Sequence, residues 1–130
     1  MTARSSIIPK AGEIWWPKKN KVFRRIQQNR KRPIFLTCGN RPVLVLSCDK
    51  YNEQDTTCVV VPLSTHDSSL EERLNFVGKD GKTSYVIHRD IRTVNMYDLE
   101  YYVDKVDKET FDKISNKVTN SIFGIDNKNN

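Results

Sequence analysis

RPVLVLSCDKYNEQDTTCVVVPLST, residues 41–65, decides the fold class because it holds two apolar runs separated by a polar connection. RPVLVLSCD, residues 41–49, is a continuous apolar run bounded by polar residues, which predicts a buried β-strand. TTCVVVPLST, residues 56–65, is rich in β-branched side chains and predicts a second strand, with Pro62 near its far end, where a sheet tolerates proline. YNEQD, residues 51–55, is interpreted as the connection.

Short strand-like runs also lie on the C-terminal side of this segment. LNFVGKDGKTSYVI, residues 74–87, carries the pair Asp80-Gly81 between two strand-like arms, which is a hairpin signal. HRDIRTV, residues 88–94, is expected to continue the second arm of that hairpin. LEYYVDKV, residues 99–106, alternates between apolar and polar side chains and predicts one more strand.

The last ordered segment is predicted to be an amphipathic helix over residues 107–124, DKETFDKISNKVTNSIFG. Asp107 is the expected N-cap and Gly124 the expected C-terminal residue. The apolar side chains recur at spacings of three, four and four, which places them on one helix face: Phe111, Ile114, Val118 and Ile122. The sequence therefore predicts a mainly β fold, a small β-barrel with a C-terminal amphipathic helix.

The chain has 130 residues, which favours one domain. That domain is expected over residues 11–124, with a flexible tail at 1–10 and another at 125–130. No apolar run approaches the roughly 18 residues of a membrane span, and the N-terminus lacks the apolar run of a signal peptide. These features predict a cytoplasmic protein without a membrane association.

Before the apolar segment lies KKNKVFRRIQQNRKR, residues 18–32, in which eight of fifteen residues are Lys or Arg and none is acidic. The net charge of the chain is +6, yet the other 14 basic residues face 16 acidic ones. The positive charge is therefore local. The stretch lies in a segment, residues 17–40, that is expected to be a long loop or hairpin with few apolar anchors. It follows a predicted first strand, GEIWWP, which ends at Pro17.

Dense positive charge without acidic residues, with Phe23 interleaved, favours a surface that tracks nucleic-acid phosphates. The alternative is a solvated, solubilising loop. Trp15 and Trp16 should face opposite sides of the first strand, and the outward ring is a candidate to stack on a base or to pack in a core or dimer interface. The predicted RNA-binding residues are Trp16, Lys18, Lys19, Arg24, Arg25, Arg30 and Arg32.

Residues typical of metal or cofactor sites are sparse. The chain has no phosphate-binding glycine loop and no H-E-x-x-H motif, and its three cysteines form no C-x-x-C pair. We therefore predict no metal and no cofactor. Two of the cysteines, Cys48 and Cys58, are expected to be small buried hydrophobes. His66 and His88 are isolated in sequence and favour structural roles, although two histidines are able to act as acid and base in RNA cleavage.

Several motifs occur in an order that is similar to a known family. GEIWW, NRPVLVLS, VVVPLST, DIRTV and the closing helix together resemble the PemK/MazF family of toxin endoribonucleases from bacterial toxin–antitoxin pairs. The resemblance covers residues 12–124. It implies an SH3-like barrel, a homodimer, metal-independent cleavage of single-stranded RNA, and an acidic cognate antitoxin as partner.

The resemblance also implies which residues act on RNA. The family's catalytic Arg precedes the Pro of the second conserved strand, which here is Arg41. Its catalytic hydroxyl follows the next apolar run, which here is Ser64, or Thr65 if the register slips by one. Relatives often have an acidic residue and a Gln before the I-R-T motif, where this chain has Arg89 and Asp90. In relatives the loop that overhangs the active site is also shorter than residues 17–40.

The function that follows is a sequence-preferring endoribonuclease in which the 2′-OH attacks the adjacent phosphate and leaves a 2′,3′-cyclic phosphate. Arg41 stays protonated at neutral pH, so its role is an electrostatic clamp rather than a base. The sequence assigns no residue to removing the 2′-OH proton. Two alternatives remain: a CcdB-type toxin that binds DNA gyrase without catalysis, and a basic RNA-binding module that no longer cleaves.

Overall fold

The computed structural model describes residues 8–23, 39–65 and 74–124. Within these ranges the chain forms seven β-strands, two α-helices and one 3₁₀ turn. Their order is β1 (Glu13–Pro17), β2 (Val43–Val45), α1 (Asp49–Gln54), β3 (Thr57–Ser64), β4 (Asn75–Val77), β5 (Thr83–Val86), β6 (Arg92–Asn95), the 3₁₀ turn (Met96–Asp98), β7 (Leu99–Lys105) and α2 (Lys108–Phe123). Neither helix in the described ranges is long and apolar enough to cross a bilayer.

Strand β3 is the centre of the sheet. It pairs with β2 along one edge, and along the other edge it pairs with β6 near its start and β5 near its end. The sheet order is β4-β5-β3-β2-β1-β7, and every pair is antiparallel. Among the described residues no pairing joins β4 to β7, but an ion pair of 3.2 Å links Lys79 after β4 to Asp104 in β7. The predicted mainly β fold with a C-terminal helix is confirmed.

Strand β2 is buried on both of its faces. Val43 and Val45 point into one apolar cluster, which also holds Trp15 of β1. Leu44 points the opposite way, into a second cluster that includes Ile114 of α2. A strand that is covered on both faces needs apolar side chains at every position, which explains why its sequence is continuous rather than alternating.

The first of the two predicted buried strands is shorter than expected. Only Val43–Val45 of residues 41–49 forms a strand, and the predicted connection is part of helix α1. A buried cluster of polar groups follows the strand. Asn52, fully buried, donates from Nδ2 to the Pro9 carbonyl at 2.8 Å, and its Oδ1 accepts from the Ser47 hydroxyl. Ser47 Oγ in turn accepts from the Val59 amide at 2.9 Å, and the Leu46 and Ser47 amides both donate to the Val59 carbonyl, at 2.8 and 3.3 Å. The regular pairing of β2 with β3 therefore ends where two amides share one carbonyl.

The strand expected over residues 88–94 is broken. Strand β5 ends at Val86, and the Asp90 amide bonds to the Ile87 carbonyl at 3.0 Å in a turn. Five residues, 87–91, lie between β5 and β6, whereas only two residues of β3 separate their pairing partners. The surplus residues must leave the ladder. The predicted strands over 12–17, 56–65 and 99–106 and the hairpin at Asp80-Gly81 are confirmed.

Helix α2 buries half of its predicted face. Ile114 and Val118 are buried against the sheet and Phe111 is half-buried, whereas Ile122 is 48% exposed. The predicted ends are confirmed, because Asp107 accepts from the Thr110 amide at 2.7 Å and Gly124 closes the helix with φ of 67°. The exposed last turn leaves apolar surface at this end of the molecule.

Two smaller expectations are corrected within the described ranges. The predicted tail at residues 1–10 is anchored at its end, where Pro9 is fully buried, while residues 1–7 and the predicted tail at 125–130 lie outside the described residues. Cys58 is buried as expected, but Cys48 is exposed because it is the N-cap of α1.

Replacing the helix cap tests this architecture through its pH dependence. The side-chain hydrogen bond with Thr110, followed by the bond from its backbone amide, lowers the pKa of the Asp107 carboxyl below its usual value. A carboxyl group whose pKa is lower in the folded state stabilises the fold at pH values above its unfolded pKa of about 4. This stabilisation is lost as the pH falls through the pKa of the folded state. Asp107→Ala should therefore lower the Tm at neutral pH, by an amount that shrinks below about pH 4.

The measurement is thermal unfolding by circular dichroism across an acid pH series. Asp107→Asn is the control, because asparagine caps a helix nearly as well but does not titrate. A deficit of Asp107→Ala that stays constant through the acid range contradicts this account of the cap.

Candidate active site

Three strand ends meet at one edge of the sheet. The register pairs Trp15 with Val43 and Val43 with Pro62. The Leu63 amide donates to the Pro42 carbonyl at 2.9 Å, and the β2–β3 register continued by two residues sets Ser64, at the end of β3, opposite Arg41. Because the segment 17–40 leaves after β1 and returns before Arg41, both of its ends reach this edge.

Arg41 and Ser64 are hydrogen-bonded at this edge. Arg41 Nη1 donates to Ser64 Oγ at 3.3 Å, across 23 positions of sequence, and both residues are half-buried. Thr65, the alternative hydroxyl, follows β3 and is exposed. The structure therefore brings together the two residues that the family resemblance implies, and their catalytic role stays a prediction.

The pair combines a permanent charge with a proton donor. A guanidinium stays protonated at neutral pH and offers N–H groups in a fixed fork that fits phosphate oxygens. In this bond the Ser64 hydroxyl is the acceptor, and a serine hydroxyl is by its chemistry a donor as well as an acceptor. This arrangement suits an anion whose charge increases during a reaction, such as a phosphate under attack.

The predicted RNA-binding residues divide into two groups. Lys18, half-buried, and Lys19, exposed, follow β1 directly at this edge, whereas Arg24, Arg25, Arg30 and Arg32 lie outside the described residues. Trp15 is only 3% exposed and belongs to the core. Trp16 is half-buried and lines a groove on the opposite side of β1. The apolar lining of that groove includes Pro42, Leu63, Phe76 and Phe111.

Phe23 does not have the role that its position in the basic stretch indicates. The ring is 2% exposed and Val22 is 8% exposed, and both belong to the core cluster around Trp15. A ring that is buried in the core does not stack on a base. Val22 and Phe23, two of the few apolar residues of the stretch, therefore anchor its described part to the core.

The guanidinium of Arg92, for which the sequence favours a structural or interfacial role over a catalytic one, holds this anchor. Arg92 forms a two-pronged ion pair with Asp90, with Nε–Oδ1 at 2.9 Å and Nη2–Oδ2 at 3.1 Å, and its Nη1 donates to the Val22 carbonyl. The signal was present as D-x-R, because side chains two apart in extended chain share a face. Asp90, one of the departures from the family pattern, thus has a structural partner.

Of the two histidines, only His88 lies within the described residues. His88 is 4% exposed, in the turn between β5 and β6, and His66 lies outside the described residues. Across residues 8–23, 39–65 and 74–124, no three His, Cys, Asp or Glu side chains cluster as they would around a metal ion.

Comparison with known proteins identifies the family. The model of the PemK-like, MazF-like toxins of type II toxin–antitoxin systems matches residues 10–122. The chain belongs to this family. The match includes β1, Arg41, Ser64 and most of α2, so the candidate site lies inside the family domain. No curated protein sequence matches the toxin.

Solved structures share the toxin's fold. MazF from Deinococcus radiodurans superposes with a TM-score of 0.68 at 17% identity, over 92% of this chain and 99% of that chain. The MazE–MazF complex of the same organism gives 0.66 at 16% identity, over 92% and 99%. An endoribonuclease in complex with its cognate antitoxin from mycobacterial species gives 0.64 at 19% identity, over 91% and 97%. At these identities the likeness is one of fold.

Proposed function

We propose that this toxin is a metal-independent, sequence-preferring endoribonuclease that cleaves single-stranded RNA in the cytoplasm. The observation that carries the proposal is the hydrogen bond of 3.3 Å between Arg41 and Ser64. It lies at the sheet edge where the basic segment leaves and returns. Membership of the MazF-like family and the similar fold of a mycobacterial protein named as an endoribonuclease support the same activity.

The proposed reaction is an internal transesterification. The ribose 2′-oxygen forms a bond to the adjacent phosphorus and loses its proton, and the bond from phosphorus to the 5′-oxygen breaks. The leaving 5′-oxygen takes a proton, so the products are a 2′,3′-cyclic phosphate and a 5′-hydroxyl. Arg41 stabilises the negative charge that grows on the non-bridging oxygens, and Ser64 donates a hydrogen bond to the same phosphate.

Cleavage in the presence of EDTA tests this function. Purified toxin should cut a long single-stranded RNA in EDTA and leave duplex RNA intact, because the pair supplies the positive charge itself. The fragments should carry 2′,3′-cyclic phosphate ends, which are mapped by mass spectrometry. Intact RNA together with trapping of gyrase on DNA would instead support a CcdB-type, non-enzymatic toxin.

An acidic antitoxin is the proposed second partner, supported by the similar folds solved with MazE or a cognate antitoxin. The basic segment is where both anions should compete. Neutralising four of its arginines to alanine should weaken RNA and antitoxin together: Arg24, Arg25, Arg30 and Arg32. Every RNA phosphate that is no longer neutralised should reduce the log–log salt slope of RNA binding by about 0.7.

Both affinities are measured by titration across a salt series. The control neutralises four lysines around helix α2, namely Lys105, Lys108, Lys113 and Lys117, which changes the net charge equally. An RNA salt slope that the arginine variant leaves at the wild-type value would make the segment a solubilising loop.

A homodimer is the proposed assembly, and exposed apolar side chains support it. Strand β7 pairs only with β1 among the described strands, and its Tyr101 and Val103 are 63% and 47% exposed. The last turn of α2 adds Phe123, which is 71% exposed. An aromatic edge strand of this kind is a template for association.

Sedimentation velocity tests the dimer. The toxin should sediment as a dimer, and Tyr101→Lys should sediment as a monomer because the substitution places a charge on the apolar edge. Tyr51→Lys, at a tyrosine of α1 that is 41% exposed, is the matched control and should remain dimeric. A monomeric wild type, or two variants that behave alike, contradicts the proposed interface.

A further inference from the structure

Residues Lys18–Phe23, here the lysine turn, form a fixed loop at the start of the basic stretch. The Lys18 amide donates to the Asp98 carbonyl at 2.7 Å, and the Lys21 amide donates to the Lys18 carbonyl at 3.1 Å. Asn20 adopts the left-handed conformation with φ of 65°, which Asn tolerates better than most residues. Lys19 and Lys21 are exposed on the outside of this loop.

The far end of the lysine turn is held by Arg92. Its Nη1 donates to the Val22 carbonyl, and its guanidinium carbon lies 4.6 Å from the centre of the Phe23 ring. The guanidinium is itself fixed by the two-pronged bond to Asp90, whose side chain is 8% exposed. One planar group thus joins a buried carboxylate, a backbone carbonyl and an aromatic face.

Arg92 lies some distance from the Arg41–Ser64 pair. Its backbone lies beside Val60 on β3, four residues before Ser64, which corresponds to about 13 Å along a strand. Three of the five N–H groups of Arg92 are already engaged with Asp90 and Val22. The residue is therefore built to hold the turn and not to contact the scissile phosphate.

We propose that Arg92 is a positioning residue that orders the lysine turn before RNA arrives, so that Lys19 and Lys21 meet phosphates at reduced entropic cost. The proposal rests on the proposed RNA cleavage, since it names the device that prepares the substrate-binding surface. Ordering a flexible loop on binding opposes affinity, and an already ordered loop avoids that cost.

A substitution that removes a negative charge distinguishes positioning by Arg92 from simple attraction between the protein and the RNA phosphates. Asp90→Asn removes a negative charge, so electrostatics alone predicts tighter RNA binding. Positioning predicts the opposite, because the guanidinium is deprived of the carboxylate that fixes it. The matched control is Asp112→Asn, the same change at an exposed ion pair of 2.8 Å with Lys108 on α2.

The probe is a 2′-O-methyl single-stranded oligonucleotide, which cannot be cleaved. We expect Asp90→Asn to weaken its binding about tenfold, the equivalent of removing the prior order of one backbone residue. Asp112→Asn should bind as wild type or slightly tighter. Arg92→Lys, which keeps the charge but neither the fork nor the ring contact, should behave like Asp90→Asn. In cleavage assays KM should rise while kcat changes little.

Amide hydrogen exchange of the free protein gives a readout without RNA. The amides of Lys18–Phe23 should exchange faster in Asp90→Asn than in wild type or Asp112→Asn. If Asp90→Asn does not fold, Phe23→Leu gives the same test, because it removes the ring without changing charge. Unchanged amide exchange in Asp90→Asn would show that Arg92 does not order the lysine turn. Faster exchange with undiminished affinity would show that this order does not contribute to RNA binding. A wild type that does not bind the probe refutes the proposed function, while the exchange result still decides whether Arg92 orders the lysine turn.

Discussion

The antiparallel register of β2 against β3 is the constraint on which the rest of the molecule depends. Val43 opposite Pro62 aims Leu44 at helix α2 and its two valine neighbours at the other core cluster. A slip of one residue would exchange these faces and bury the wrong side chains in both clusters. The same register sets Arg41 opposite Ser64. Stability and the candidate site are therefore specified by one alignment of two strands.

The sequence predicted the parts of the fold that depend on local patterns. The continuous run around Leu44 predicted a buried strand, which exists but is shorter than expected, and the spacing of Ile114 and Val118 correctly predicted the buried face of a helix. Helix α1 was missed because its buried residue Asn52 is held by hydrogen bonds to Ser47 and to the Pro9 carbonyl, and Pro9 is distant in sequence. Pairing between remote polar groups leaves no periodic signal.

The candidate site was predictable to a different extent. No pattern in the residues pairs Arg41 with Ser64, and only the family resemblance implied them before the strand register placed them together. Phe23 was misinterpreted because its neighbours are basic, whereas its environment is set by Arg92 almost 70 positions later, across a tertiary contact. Charge patterns describe what a segment attracts, and burial describes what holds it.

The central claim is that Arg41 and Ser64 act as one unit on the scissile phosphate, and a double-mutant cycle tests it most directly. Single-turnover cleavage of one single-stranded RNA is measured for Arg41→Ala, Ser64→Ala and the double variant, with Thr65→Ala as control. Each single variant should cleave about 10²–10³-fold more slowly. The double variant should be little slower still, because groups that act together are not additive. Rate effects that multiply, or a larger effect for Thr65→Ala than for Ser64→Ala, would contradict the account.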